Sequence, residues 1–163
     1  MTSELRVDKI HNEGGDNDSG IDLSTNDQIV LKTANTTRLT MNATGQTTIV
    51  GEGGSTTTSV QQGLAKAWVH FKGSGTVTVN DTLNITSLVD NGTGDYTVSI
   101  VNDMANANYT TSCAASSASL SNTDTMINPY TWAAGSLAIG VNNNTGAVAD
   151  RSEVNTTIHG ELA

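Results

Sequence analysis

Three carboxylates near the start of the chain have the spacing of a calcium loop. Asp16, Asp18 and Asp22 occupy alternating positions, and Gly20 stands among them. Ca²⁺ takes oxygen ligands of this kind from a flexible loop. The glutamate that closes the EF-hand pattern does not follow, and a solvated acidic turn is the alternative interpretation. We therefore predict no metal site and no cofactor.

The histidines and the single cysteine do not form a recognisable catalytic or metal-binding pattern. His11, His70 and His159 are far apart, and Cys113 is alone, which excludes an intrachain disulfide and a multi-cysteine zinc site. His70 alternates with apolar neighbours, which favours the surface or an axis between copies over a metal. Cys113 is interpreted as a small buried residue rather than a nucleophile.

The carboxylates of the C-terminal region do not indicate an enzyme. Hydrolysis of a polysaccharide needs two opposed carboxyl groups in a cleft. The available residues in the first half of this region stand at turn-like positions, where Asp is common for conformational reasons: Asp81, Asp90, Asp95 and Asp103. The sequence contains no Gly-x-Ser-x-Gly elbow and no nucleotide-binding glycine loop. We expect no catalytic activity, with a polysaccharide depolymerase as the least favoured function.

Two aromatic residues are the best candidates for ligand contact. Tyr130 and Trp132 follow Pro129 in a loop-like stretch, and exposed aromatic rings stack on sugars or anchor a protein partner. The alternative is that both rings belong to the core, because the chain has only two Trp, three Tyr and one Phe.

Charge excludes two classes of partner. Asp and Glu total 16 against 7 Lys and Arg, which gives a formal charge of −9 over 163 residues. Such a charge opposes binding to nucleic acid and to an anionic membrane. No window approaches the ~20 apolar residues of a membrane span, and residues 1–8 are too polar for a secretion signal. We expect that the protein is synthesised in a cytoplasm and that it does not insert into a membrane.

The elements that position these residues are expected to be β-strands, because the composition is that of an all-β protein. Thr, Asn, Gly and Ser dominate, and there is one Pro; Thr favours strands, whereas Asn and Gly favour tight turns. In residues 21–52, all the large apolar residues except Val30 and Val50 have odd numbers, which predicts a meander of four strands with one apolar face. These residues are Ile21, Leu23, Ile29, Leu31, Leu39, Met41 and Ile49.

The apolar face of this meander has no cover within residues 1–52. A small sheet with one apolar face is marginal in water, so either the later domain folds over it or sister chains do. The polar, glycine-rich connector at residues 53–66, which includes a short helix near residues 60–66, favours sister chains. Residues 1–20 form an arm whose few apolar residues are expected to dock elsewhere: Leu5, Val7 and Ile10.

Residues 67–163 are predicted to form a compact β-rich head, as a sandwich or a small barrel. Short strands recur with turn signals between them. Three sets of alternating residues are each expected to share one face of a strand: Tyr96, Val98 and Ile100; Leu137, Ile139 and Val141; Val154, Thr156 and Ile158.

Several runs resemble the tail-fibre proteins of tailed bacteriophages that infect marine bacteria and cyanobacteria. They are SVQQGLAKAWVHF at residues 59–71, GSGTV at 73–77, LNITSL at 83–88, DNGTGDYTV at 90–98 and MANANY at 104–109. Upstream, TTRLTM at residues 36–41 with Thr44 and Gly45 is similar to the β-repeats of fibre shafts. LRVDKI at residues 5–10 is similar to the N-terminal segments of such proteins. The resemblance covers most of residues 4–110.

The resemblance implies a homotrimeric virion protein of the tail. Its shaft strands would wind around a threefold axis, the arm would dock to other tail proteins, and the head would attach to a host surface glycan or protein. The residues alone indicate self-association but not the number three. A virion adaptor or capsid decoration protein that binds no host ligand is the alternative.

Overall fold

The computed structural model describes residues 5–14, 18–117 and 126–163. The chain divides into two compact units, Met1–Gln61 and Gln62–Ala163, here named the shaft unit and the head unit. The shaft unit contains strands β1 (Lys9–His11), β2 (Gly20–Asp22), β3 (Ile29–Thr33), β4 (Thr36–Met41), β5 (Thr47–Val50) and β6 (Thr57–Ser59). The head unit contains β7 (Ala65–Lys72), β8 (Thr78–Leu83), β9 (Ile85–Gly92), β10 (Asp95–Ile100), β11 (Thr110–Ser116), β12 (Met126–Ala133), β13 (Ser136–Asn142) and β14 (Glu153–His159). The short helix α1 (Val60–Gly63) lies at the boundary.

The all-β prediction is confirmed. The strands of the described residues form three open sheets, so the head is a sandwich of two sheets and not a closed barrel. Thr-rich and Val-rich alternation explains the strands, because β-branched side chains pack well on a pleated surface.

The shaft unit is one antiparallel meander in the order β1-β2-β3-β4-β5-β6. Its tightest turn joins β3 to β4 through Ala34 and Asn35, whose φ angles are 50° and 53°. Two successive positive φ values are the mark of a two-residue hairpin turn whose twist matches that of the flanking strands. Asn tolerates this conformation, whereas Ala adopts it at a cost.

The sheet extends beyond residues 21–52 at both ends. Lys9–His11 lies within the segment predicted as a docking arm, yet it pairs with β2. Thr57–Ser59 lies within the predicted connector and pairs with β5. Both strands were missed in the sequence because each is only three residues long, which is too short for an alternating pattern. They form because the backbone groups of an uncovered sheet edge pair with an adjacent extended segment. The helix is shorter than predicted, since it ends at Gly63.

The head unit packs two four-stranded antiparallel sheets, ordered β12-β13-β10-β9 and β11-β14-β7-β8. The three predicted sets each share one face, and the structure turns these faces to the core, since their nine residues are at most 5% exposed. Ala67, Val69 and Phe71 on β7 complete the core with Met104 and Tyr109 from the loop before β11. Phe71 and Tyr96 meet edge to face, with ring centroids 5.0 Å apart, a favourable aromatic geometry.

Tyr96 also joins loops at one end of the sandwich. Its hydroxyl donates to the Gly73 carbonyl at 2.8 Å and contacts Oδ1 of Asp150 at 3.0 Å. The same Oδ1 accepts the Gly94 amide at 2.7 Å. Burial, with the Asp150 carboxylate as the next cause, raises the pKa of Tyr96 far above its ordinary value. A side chain at Gly73 would collide with this hydroxyl, since its Cβ would lie 2.6 Å away.

Candidate functional site

The shaft unit presents a row of apolar side chains across five neighbouring strands. Residues directly opposite each other in antiparallel strands project from the same face. The observed register places five apolar residues opposite one another in strands β1 to β5: Ile10, Ile21, Leu31, Leu39 and Ile49. Four of them belong to the predicted shaft stripe, and Ile10 joins them from the segment predicted as an arm.

A second, shorter row lies beside the first. Ile29 on β3 is opposite Met41 on β4, and Leu23 follows β2 directly. The two rows together are here named the apolar face. It is largely open to solvent: Ile10, Ile29 and Met41 are 47%, 45% and 41% exposed. Among the described residues of the shaft unit, none is buried, so this sheet has no core of its own.

The opposite face of the shaft sheet is mostly polar, although it includes Val30 opposite Asp22, and it carries a cluster of charged side chains. Asp22 accepts a hydrogen bond from Lys32 Nζ at 2.6 Å, and Lys9 Nζ lies 3.9 Å from the same oxygen. The Ser24 amide and hydroxyl also donate to Asp22. Lys32, followed by Ser24, holds the pKa of the Asp22 carboxyl well below its usual range.

The contacts of Asp18 and Asp22 concern the calcium-loop pattern considered from the sequence, because they occupy carboxylate oxygens that would bind Ca²⁺. Asp16 and Asn17 lie outside the described residues. Asp18 accepts the Ser19 hydroxyl at 3.0 Å, and Asp22 is engaged by Lys32. No group of three potential metal ligands occurs in residues 5–14, 18–117 and 126–163.

The head unit contains an open cleft of about 570 Å³, here named the polar cleft. One wall is the segment from Asn106 to Thr110, and the other is His159, Gly160 and Glu161, with Gln62 at the rim. Thr110 and His159 are opposite each other in strands β11 and β14. Gln62 Nε2 donates to Glu161 Oε1 at 2.6 Å.

Backbone hydrogen bonds fix the two walls of the polar cleft to each other. The Ala105 amide donates to the Glu161 carbonyl at 2.8 Å, and Met104 forms a β-bridge with Leu162. Tyr109 is 9% exposed and donates its hydroxyl to the Ala133 and Ser136 carbonyls, at 3.2 and 2.8 Å. Burial raises the pKa of this phenol. The cleft is thus preformed.

Tyr130 and Trp132 lie in a strand, not in the predicted loop. Pro129 is tolerated because β12 is an edge strand with a bulge between Pro129 and Thr131. The bulge separates the two rings: Trp132 is opposite the buried Leu137, whereas Tyr130 lies over Gly140, on the outer side of the sheet.

Tyr130 is 52% exposed, and its hydroxyl donates to Asp95 Oδ1 at 2.6 Å. That bond raises the pKa of Tyr130. Trp132 is 40% exposed. The structure therefore does not combine Tyr130 and Trp132 into one aromatic site.

The other residues singled out from the sequence are dispersed. His70 lies 2.6 Å from Glu153 on the outer face of the sheet, opposite Asp81. Cys113 is half-buried, and its sulfur lies 3.0 Å from the Thr156 hydroxyl. His11 belongs to β1.

The predicted acidic residues fall on different elements. Asp81 belongs to one sheet of the head, and Asp90 and Asp95 to the other. Asp103 lies in the loop after β10, where a side chain at Gly135 would meet its carboxylate at 2.9 Å.

Sequence reasoning missed the polar cleft. Its rim joins Gln62 to Glu161, which are 99 residues apart, and no local pattern connects such positions. The one available signal was the pair Asn106 and Asn108 in a segment without strand alternation.

Comparison with protein-family models, with curated proteins and with solved structures gave no match for this chain. In the described part of the chain, no helix has the length and apolar character needed to cross a membrane.

Proposed function

We propose that this protein is a subunit of a bacteriophage tail fibre or spike, which assembles as a homotrimer through the shaft unit and attaches to the host surface through the head unit. The phage origin, the number three and the location in the virion rest on the resemblance to tail-fibre proteins, which covers most of residues 4–110. The protein acts by binding rather than by catalysis.

The exposed apolar face is the observation that supports this function best. Five strands contribute one apolar residue each to its main row, and the shaft unit has no buried residue in its described part. Burial of a half-exposed Leu or Ile contributes about 1 kcal/mol. Copies of the chain that place these faces against each other would therefore supply the core that one copy lacks.

The remainder of the arm would dock to other tail proteins. Since Ile10 belongs to the row, this role falls to Leu5 and Val7, which are 82% and 38% exposed. Weak contacts of three heads on one fibre would add up by avidity, with no new chemistry in any of them.

Mass measurement in solution tests the assembly. Native mass spectrometry is expected to give about three times the 16.9 kDa chain. A stable monomer at micromolar concentration would overturn the shared core, and a dimer would overturn the threefold arrangement.

Host attachment needs a separate test. Labelled protein is compared with a fusion that carries residues 1–61 on an unrelated trimeric scaffold, and cell-bound label is measured. Binding that depends on the head supports attachment. Equal binding of both, or of neither, favours the adaptor or decoration function instead.

A further inference from the structure

We propose that the polar cleft of the head unit binds a neutral sugar unit of a surface glycan. This inference rests on the attachment function proposed above and gives it a ligand class and a site. It follows from the size, the side chains, the charge and the rigidity of the cleft.

The size of the polar cleft suits a saccharide. Its volume of about 570 Å³ lies within the roughly 300–1,000 Å³ of small-ligand sites. It is open, so a residue within a longer glycan chain has room to enter and leave.

The side chains of the cleft match a ligand with many hydroxyl groups. Apart from Tyr109, whose hydroxyl donates to the Ala133 and Ser136 carbonyls, six of its eight lining residues carry hydrogen-bonding side chains, of which three are amides: Gln62, Asn106, Asn108, Thr110, His159 and Glu161. An amide both donates and accepts, as each sugar hydroxyl does. Within the described residues, the side chains of Asn108 and His159 have no hydrogen-bond partner. Their donors and acceptors are available to a ligand.

Charge selects against acidic ligands. Glu161 contributes a carboxylate to the cleft, and the whole chain carries a formal charge of −9. A sialic acid, a uronic acid or a phosphate would approach against this field, whereas a neutral hexose or an N-acetylhexosamine would not. The Glu161 oxygens instead accept from hydroxyl groups, beside the bond from Gln62.

The cleft needs little ordering before it binds. The bond from the Ala105 amide to the Glu161 carbonyl and the bridge between Met104 and Leu162 hold its walls. Behind them, Gly160 packs so tightly that an added Cβ would lie 2.8 Å from Met104 Cε and 2.9 Å from Tyr109 Cβ. Rigid walls reduce the entropy lost on binding.

Saturation-transfer NMR on the full chain tests the site. The probes are methyl glycosides of glucose, galactose and mannose, together with N-acetylglucosamine, each at tens of millimolar. At least one is expected to bind. Asn108→Ala and His159→Ala are each expected to weaken that binding about tenfold, because each removes hydrogen bonds to the sugar. Glucuronic acid is expected to bind more weakly than glucose.

The matched control is Val89→Ala, which truncates an exposed side chain on the other sheet of the same head. It is expected to leave sugar binding unchanged. Tyr130→Ala tests the competing aromatic contact: loss of binding in that variant with none in the cleft variants would overturn the proposal, as would no binding of any neutral probe. Preferred binding of the blocked peptide acetyl-Gly-Gly-Gly-amide would assign the cleft to a protein partner and overturn the sugar class.

The native mass separates the two proposals. If the protein is trimeric and its head binds host cells while the cleft variants bind sugar unchanged, the sugar site alone fails. If sugar binds in the cleft of a monomer, the fibre function alone fails.

Discussion

The shaft unit and the head unit have the same strand chemistry and opposite outcomes. Both are antiparallel and alternate apolar with polar residues along each strand. In the head, Leu137, Ile139 and Val141 on β13 are fully buried, whereas Ile29 and Leu31 on β3 of the shaft are 45% and 39% exposed. Alternation therefore defines an apolar face, but a second layer is required to bury it.

The number of layers explains the difference. The apolar rows of β10 and β13 in one head sheet meet those of β7 and β14 in the other, and together they form one core cluster. The shaft unit is one sheet of six strands, so its apolar face meets no second sheet within that unit. Exposed apolar surfaces of this kind often mark interaction sites, which supports the proposed association between copies.

The largest expected effect comes from a charge on the apolar face. Leu39→Asp is expected to prevent trimer formation, because each assembled copy would bury an unpaired carboxylate. Sedimentation velocity should then show a monomer whose head is still folded. Thr40→Asp is the matched control, since it puts the same charge on the opposite face of β4. Trimers formed by Leu39→Asp would contradict the shared core, as would loss of trimers in Thr40→Asp.

The second prediction concerns the head unit, whose packed core is disturbed by a cavity while the shaft unit is left intact. Leu137→Ala is expected to lower the free energy of unfolding of the head by about 2–5 kcal/mol, because Leu137 is fully buried. Tryptophan fluorescence during urea denaturation measures this, since both tryptophans, Trp68 and Trp132, belong to the head. Trimerisation should survive in the absence of urea. Val148→Ala, at a side chain that is 59% exposed, should change the free energy by less than about 0.5 kcal/mol. Equal effects of both variants would mean that Leu137 is not part of a packed core.

Alkaline pH should also distinguish the two units. All three tyrosines lie in the head, and the folded state raises the pKa of each. A raised folded pKa contributes stability that is full below the unfolded pKa of about 10 and is lost as pH rises through the folded pKa. Head stability should therefore fall above about pH 10.

Tyr96→Phe isolates the main contributor to this fall. It should flatten the alkaline loss and cost about 1–3 kcal/mol at neutral pH, because the Gly73 carbonyl and Asp150 lose a donor. Urea melts at neutral pH and at about pH 11 measure both effects. An unchanged slope in Tyr96→Phe would show that other groups cause the loss.

The sequence predicted what depends on local alternation. The shared faces in β10, β13 and β14 were found correctly, because period-two patterns report faces directly. The three-residue strands β1 and β6 were missed, because pairing across a sheet edge leaves no local signature. The interpretation of Tyr130 and Trp132 as loop residues was wrong, since Pro129 is a turn signal that an edge strand with a bulge also accepts. The polar cleft depends on contacts 99 residues apart and was beyond local reasoning.

The smallest expected effect is a gain in the shaft unit. The turn between β3 and β4 forces Ala34 into positive φ, which costs an alanine about 1 kcal/mol relative to glycine. Replacing Ala34 and Asn35 by Asn and Gly gives the preferred sequence for this turn. We expect the shaft sheet to gain about 1 kcal/mol per copy, so trimers should persist to a higher temperature in thermal native mass spectrometry. Ala34→Val is the matched control and should lower that temperature, because a β-branched side chain fits positive φ poorly. The head's tryptophan-monitored urea transition should not move in either variant. If both variants shifted trimer melting in the same direction, backbone strain at Ala34 would not be what limits the stability of the shaft.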